Sequence, residues 1–515
     1  MKDFTSLDFL VLSAYLLGIA IFGSSFYRRR STAREYFLGG RSMSWLPVGI
    51  SIIAADLSAI TVMGTPAWAY SHNLELLWNT LGYPLVAAAV ILVFVPFYSR
   101  LNLYTAYEYL ERRFDLRVRL IASLLFLILR GVHIALVIYA PALVIQLVTG
   151  MPVWQCIALM GAFTTIYTTL GGVKAVIWTD VIQFTVVVVG MLLVFAISLA
   201  QVPGGLTAAW ETASAAGRLK LFNFSFDPTE LTAFWPAVLG GMVLSMGPLT
   251  TDQAVLQRLF TTKSSEDCRR SIIVQAAVVM PLSLLLYLAG TALYAFYRLH
   301  PNRLAGLPTT DAILPLFAVR EMPAGVSGLV LASIFSASMA VMSAGINSLT
   351  TATTIDFYQR LLRRNAPSTH YGSVGRVGAL CWGVLVTCLA LFVGRLGELA
   401  LAYNRVSSVV TGPMLGIFLL ATLTRRTTAL GAILGAIAGG CAVWVASMTT
   451  AWSFFYFGPI GVAVTLAVGY GASFLMEPPP EENVRGLVVG YGDPALVASA
   501  QPGRVMTGSD TIGIR

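Results

Sequence analysis

Charge is scarce in this chain. Asp, Glu, Lys and Arg make up only 11% of its 515 residues and hydrophobic residues 57%, against roughly 25% charged in an ordinary soluble domain. Water is therefore excluded as the main solvent. Histidine occurs four times and cysteine five times, and Cys156, Cys268, Cys381, Cys388 and Cys441 show no metal-ligand spacing. Four of them fall inside apolar runs, as small core residues do. Long polar stretches are also few: a loop near 201–232 and a tail after Met476 rich in proline, glutamate and glycine. Neither offers a soluble catalytic domain, so the work must be done inside a bilayer. The net charge of +9 sits in short clusters between apolar runs, where it marks topology rather than nucleic acid.

What the chain has is apolar length. Runs of roughly 20 residues, enough to cross a membrane, fall at 7–26, 43–70, 77–98, 119–149, 153–171, 176–200, 234–251, 271–297, 326–355, 374–394, 399–423, 427–448 and 453–475. The expected fold is an all-α polytopic membrane protein with about 13 spans. The first run is too long for a signal-peptide core and ends in "RRR", so it is expected to be retained. Basic clusters follow alternate spans, which places the N-terminus outside and the C-terminus in the cytoplasm.

The second run, "SIIAADLSAITVMGTPAWAY", carries an acid at Asp56, hydroxyls at Ser58 and Thr61, and helix breakers at Gly64 and Pro66. Freed backbone groups are tolerated at mid-membrane only where they face protein or a cavity. The seventh run repeats the pattern with Gly240, Gly241, Gly247 and Pro248. Interrupted helices at matching positions of two five-helix halves point to an inverted-repeat transporter with its site at the midplane. The expected division is an N-terminal helix and loop (1–42), a first half (43–200), an outer loop (201–233), a second half (234–423), further helices (424–476) and a disordered cytoplasmic tail (477–515).

"REYFLGGRSMSW" (34–45), "IYAPAL" (138–143), "GGVKAVIWTDVIQ" (171–183), "TTDQAVLQR" (250–258) and "GINSLTTATTIDFYQ" (345–359) together resemble the sodium/solute symporter family over about residues 7–475. "LSAITVMGTPAWAY" and "VIYAPALVIQLVTG" are most similar to its monocarboxylate, vitamin and iodide branch. The resemblance implies a five-plus-five core with broken first and sixth core helices, working as a sodium-coupled carrier of a carboxylate or similar anion and not as an enzyme. It implies a principal Na+ site from carbonyls at Ala54, Leu57 and Ala337, with two hydroxyls that fall here on Ala340 and Val341, both apolar. A second sodium site implied by the family matches Asp180 and Ser343, with Ala344 lacking its hydroxyl.

Hard cations give up water only to enough protein oxygens, so three carbonyls leave the principal site thin. Ser336, Ala340, Ser343 and Asn347 share one helical face and leave a polar stripe around the gap. Ser338 lies on another face. Asp56 is an intramembrane acid, costly by default. It either lends charge to the cation site, titrates as a proton carrier, pairs with a cationic solute group, or caps the following half-helix. Coupling to sodium, to protons or to neither, and a sensor that has lost the site, all remain open.

Arg130 lies about 18 Å along its helix at 1.5 Å per residue, too deep to escape to the interface. Its fork suits a carboxylate, or else pairs with Asp56, Asp180 or carbonyls. Ser58 and Thr61 fall where the family places solute contacts. His133 is a solute contact or a satisfied core histidine. Trp68 and Trp78 are vestibule lids or packing residues, and Lys174 is an interfacial anchor. "SMGPLT" carries no ring where sugar-binding members have an aromatic gate. Intramembrane enzymes need a nucleophile or metal cluster and channels a filter; the sequence has neither.

Overall fold

The computed structural model describes residues 4–28, 31–304, 307, 309–393 and 399–492, and every named element among them is helical. The principal helices, in chain order, are α1 (Ser6–Ser24), α2 (Trp45–Asp56), α3 (Ala59–Ser71), α4 (Leu116–Thr149), α5 (Val153–Ala200), α6 (Phe234–Thr251), α7 (Gln253–Leu259), α8 (Ser265–Leu299), α9 (Val326–Ala352), α10 (Ser368–Val393), α11 (Leu399–Leu423), α12 (Ala429–Thr449) and α13 (Phe457–Ser473). Shorter pieces, including a one-turn π segment at Val90–Phe94, complete the third crossing between Glu75 and Leu101.

Among the described residues nine helices are long and apolar enough to cross a bilayer, and the bent pair α2–α3 makes a tenth. Of the three runs by which this falls short of about 13, one is a matter of division and two are helices below that length or apolarity. At 48 residues α5 would measure about 72 Å, more than twice the hydrocarbon thickness. It holds two of the expected runs, separated where Gly172 leaves helical geometry at φ 60°, ψ −157°. Only glycine reaches that conformation freely. A side chain there would also meet the Tyr36 carbonyl oxygen at 2.8 Å. The expected runs at 234–251 and 399–423 are occupied by α6 and α11.

At the centre stands α9, whose most apolar stretch is 94% buried. It packs against α1, α2, α4, α5 and α10. Caps define the ends: Asp115 accepts the Val118 amide at the start of α4, at 3.0 Å, and Thr5 and Asp8 form a capping box on α1. At one end of the core Asp356 receives Arg119 at 2.6 Å, Thr105 at 2.7 Å and Ser123 at 2.8 Å. This joins the loop before α4 to the end of the α9 span.

The glycines and prolines expected to break two spans serve another purpose. Pro66 lies inside α3, where its carbonyl oxygen meets Gly290 of α8 so closely that a side chain there would lie 2.2 Å away. Gly241 lies in regular helix, and its Cβ would fall 2.2 Å from the Asn79 carbonyl oxygen. Small residues at such crossings let backbones touch. Gly241→Val is accordingly expected to lower thermal stability in detergent by about 1–3 kcal/mol or more. Gly64→Ala, with nothing within 4 Å of the new methyl, is expected to leave the melting curve unchanged or raised.

Two further expectations are corrected. Residues 477–492 do not form a disordered tail: Leu487 and Val488 are buried, Tyr109 donates to the Leu487 carbonyl at 2.9 Å, and the Val489 amide donates to Thr422 at 2.9 Å. The rest of the tail lies outside the described residues. Of the cysteines, Cys156 and Cys268 are buried, whereas Cys381, Cys388 and Cys441 are exposed on outward faces of their helices.

Candidate functional site

The first break falls directly after Asp56. Leu57 (φ −80°, ψ 85°) and Ser58 (φ −80°, ψ 161°) leave the helix, and α3 departs from α2 at 67°. Ser58 Oγ accepts the Thr61 amide at 3.3 Å and lies 3.2 Å from Thr61 Oγ1. Ser58 is therefore the cap of the second half-helix, a role the sequence had left open to Asp56. The two hydroxyls expected to face solute are engaged with each other and with that cap.

The second break falls at Asp252 (φ −82°, ψ 120°), between α6 and α7, rather than at Gly247 and Pro248. Its Oδ1 accepts the Ala254 amide at 2.7 Å. Breaks thus fall at capping side chains, not at the nearby glycines.

At the first break the chain offers acceptors. The Leu57 amide turns to the Ile53 carbonyl at 2.9 Å and the Ser58 amide to that of Asp56 at 3.1 Å. Ala54 and Ala55 stand in the last turn of α2 and Leu57 just beyond it, where helix carbonyls lack intrahelical donors. Asp56 Oδ2 is sealed from solvent and has no hydrogen-bond partner. Ala54 and Leu57 thus stand where a cation could use their oxygens, with the carboxylate beside them. Ala337 sits on α9, which packs against α2. Ala340 and Val341 are buried with 1% and 0% exposure and offer only methyl groups, as expected.

Arg130 comes to this place from α4. It is 7% exposed, and its Nη1 lies 3.6 Å from Asp252 Oδ2. Its Nε passes 3.6 Å from where a side chain on Gly345 of α9 would begin. Nε and Nη2, which form the bidentate edge of a guanidinium, are buried without partners. The expected pairing of Arg130 with an acid is found, but with Asp252, which sequence reasoning did not single out.

Asp180 and Ser343 are brought together as expected, with Ser343 Oγ donating to Asp180 Oδ1 at 3.3 Å. Their surroundings differ from a free cation site. Asp180 Oδ2 also receives Ser51 Oγ at 2.5 Å and Arg258 Nη2 at 2.9 Å. Arg258 Nε in turn donates to Ser51 at 2.7 Å. A fixed guanidinium already neutralises this acid. Arg258 stood in the quoted "TTDQAVLQR", and the signal for it was the rarity of cations in apolar surroundings.

The polar stripe of α9 is likewise engaged with different neighbours. Ser336 donates to Tyr15 at 2.6 Å, Asn347 accepts from Gln257 at 2.7 Å, and Ser338 donates to the Val137 carbonyl at 2.9 Å. These hydroxyls and amides hold helices together. Trp68 stacks on His72 at 4.0 Å, and Trp78 donates to the Leu221 carbonyl at 2.7 Å. Trp78 therefore ties the outer loop down. His133 is half-buried one turn beyond Arg130. Among the described residues no group of three His, Cys, Asp or Glu side chains could hold a metal ion.

Comparison with known proteins agrees with this fold. The family model described as "Sodium:solute symporter family" matches residues 36–439. The chain is 34% identical to the sodium/sialic acid symporter NanT of Aliivibrio fischeri over 480 residues, 91% of this chain and 93% of that one. It is 31% identical to sodium-coupled monocarboxylate transporter 2 of Bos taurus over 446 residues, 85% of this chain and 72% of that one. A solved, substrate-bound, outward-open Na+-coupled sialic acid symporter superposes with a TM-score of 0.88 at 30% identity, covering 92% of this chain and 99% of that one. These relatives are transporters and not enzymes. A multi-pass helical chain with two broken spans and this degree of likeness belongs to the sodium:solute symporter family.

Proposed function

We propose that this protein is a sodium-coupled symporter of a small carboxylate-bearing solute, working by alternating access. The observation that carries the reading is the unpaired Nε/Nη2 edge of Arg130, buried between the breaks at Asp56 and Asp252. A guanidinium held in place by one acid and left with a free fork accepts a carboxylate bidentately. Na+, carried as co-substrate, would be held by the Ala54 and Leu57 carbonyls and the Asp56 carboxylate, which compensate for the methyl groups of Ala340 and Val341. Solute and ion order the same unwound backbone, so each favours binding of the other. Rocking of one half, residues 43–200, against the other, 234–423, then exposes the site to the opposite side. The basic loops orient the carrier with its N-terminus outside and its C-terminus in the cytoplasm.

Asp180 with Ser343 would act here as a structural pair with Arg258 rather than as a sodium site. A second reading, proton-coupled or uncoupled movement, is favoured by the loss of both hydroxyls and shares the same solute pocket.

Uptake into proteoliposomes of a panel of labelled small carboxylates, with sodium and proton gradients imposed separately, tests both. A sodium gradient is expected to drive accumulation, and Arg130→Lys, which keeps the charge but loses the fork, to reduce it about tenfold or more. Accumulation driven only by protons would select the second reading. Transport unaffected by Arg130→Lys would remove the carboxylate from the proposal.

A further inference from the structure

Carboxylate recognition accounts for Arg130 and leaves two acids unexplained. Each discontinuous span carries one acid at its break: Asp56 between α2 and α3, Asp252 between α6 and α7. One of them pairs with the Arg130 guanidinium and the other lies near it. Asp252 Oδ2 lies 3.6 Å from Arg130 Nη1, and Asp56 is within electrostatic reach of Arg130 and of Asp252. Asp252 uses its other oxygen to cap α7, while Asp56 Oδ2 has nothing. The next cation, Arg258, is already neutralised by Asp180 at 2.9 Å.

The carboxylates of Asp56 and Asp252 and the guanidinium of Arg130 give the pocket an excess of one negative charge. Isolated charge at membrane depth is costly. The unspent atoms are also directional. Donors lie on the Nε/Nη2 edge of Arg130. Acceptors lie at Asp56 Oδ2 and at the carbonyls that end α2, the negative end of its dipole.

We infer that the solute is a zwitterion: its carboxylate lies on the fork of Arg130, and its cationic nitrogen, an ammonium or N-alkylated ammonium, lies at Asp56 Oδ2, with Asp252 beyond, while Na+ keeps the Ala54 and Leu57 carbonyls and the other Asp56 oxygen. This rests on the transport reading above and narrows its solute class. A plain monocarboxylate would raise the excess from one negative charge to two. A zwitterion leaves it at one, which a single co-transported Na+ cancels. Asp252 holds Arg130 in register and is a positioning residue.

The test is calorimetric binding to the purified full-length chain at saturating Na+. The probes are matched triplets spanning small, branched and cyclic side chains: an α-amino acid, the same acid without its amino group, and the same amine without its carboxylate. The best amino acid is expected to bind about tenfold or more tightly than its des-amino partner, the discrimination typical of a site built around a charged group. Asp56→Asn is expected to bring those two within about twofold of each other, while Arg130→Lys weakens both alike. Asp252→Asn, which keeps the cap oxygen, should weaken carboxylate binding without erasing the preference for the amino group, so a failure of one variant to fold leaves the other informative.

Des-amino acids binding as tightly as amino acids, or no amino acid of any triplet binding, would overturn the zwitterion and leave carboxylate symport standing. Amines lacking a carboxylate binding as tightly as the amino acids would instead overturn the Arg130 reading itself.

Discussion

Asp56→Asn is expected to abolish concentrative uptake in proteoliposomes while leaving a folded, monodisperse protein. The substitution preserves shape and removes one charge. Asp56 is not the cap of α3, since Ser58 Oγ performs that task, and Oδ2 has no hydrogen bond to lose. Little of the fold depends on the carboxylate. On the proposed reading the ligands would depend on it: removing one member of a buried charge pair costs about 2–5 kcal/mol, on the order of a hundredfold in uptake at limiting solute. Initial rates under an imposed sodium gradient, with the melting temperature as a folding control, decide the point. Normal sodium-driven accumulation in the variant would exclude Asp56 from the mechanism.

The second large effect lies at the opposite extreme, in stability. Arg258 and Asp180 are 1% and 0% exposed, and each supplies what the other lacks. Arg258→Met strands a carboxylate in the core, and breaking such a pair typically costs about 3–5 kcal/mol. The expected result is a large fall in folded yield and in melting temperature. The double variant Asp180→Leu with Arg258→Met removes both charges and is expected to recover much of the loss, because a pair replaced by well-packed apolar groups is often neutral. Equal damage in the single and double variants would show that these residues are not energetically coupled. Ser343→Ala should matter far less, since its bond to Asp180 is 3.3 Å long and its hydroxyl also reaches the Ala340 carbonyl at 3.0 Å.

Helix positions were the legible part of this protein, because apolar length and loop charge are direct consequences of a bilayer solvent. The discontinuous spans were legible as a class and misplaced in detail. Gly64, Pro66, Gly247 and Pro248 drew attention as breakers, yet those glycines and prolines lie in continuous helix, and neighbouring Gly241 and Pro66 serve where spans cross. The breaks follow Asp56 and sit on Asp252, where a side chain caps the next segment. That distinction depends on the neighbouring helix and is invisible along one chain.

The site was read in part for the same reason. Asp56 and Arg130 stood out as charges deep in apolar runs. Asp252, partly exposed, and Arg258, fully buried, sit in "TTDQAVLQR", at what reads as a helix end, where a charge normally meets water. Only the return of α7 into the core buries Arg258 and brings Asp252 up to Arg130. Which acid pairs with which arginine is a fact of three dimensions.

One consequence of the Arg258 arrangement concerns electrical current. The guanidinium at Asp180 is tethered to α7 and cannot leave with the solute, so that acid contributes nothing to charge crossing in a cycle. Moving one elementary charge through 100 mV is worth about 2.3 kcal/mol. On the proposed reading, the charge per turnover equals the net charge of the cargo, ion and solute together.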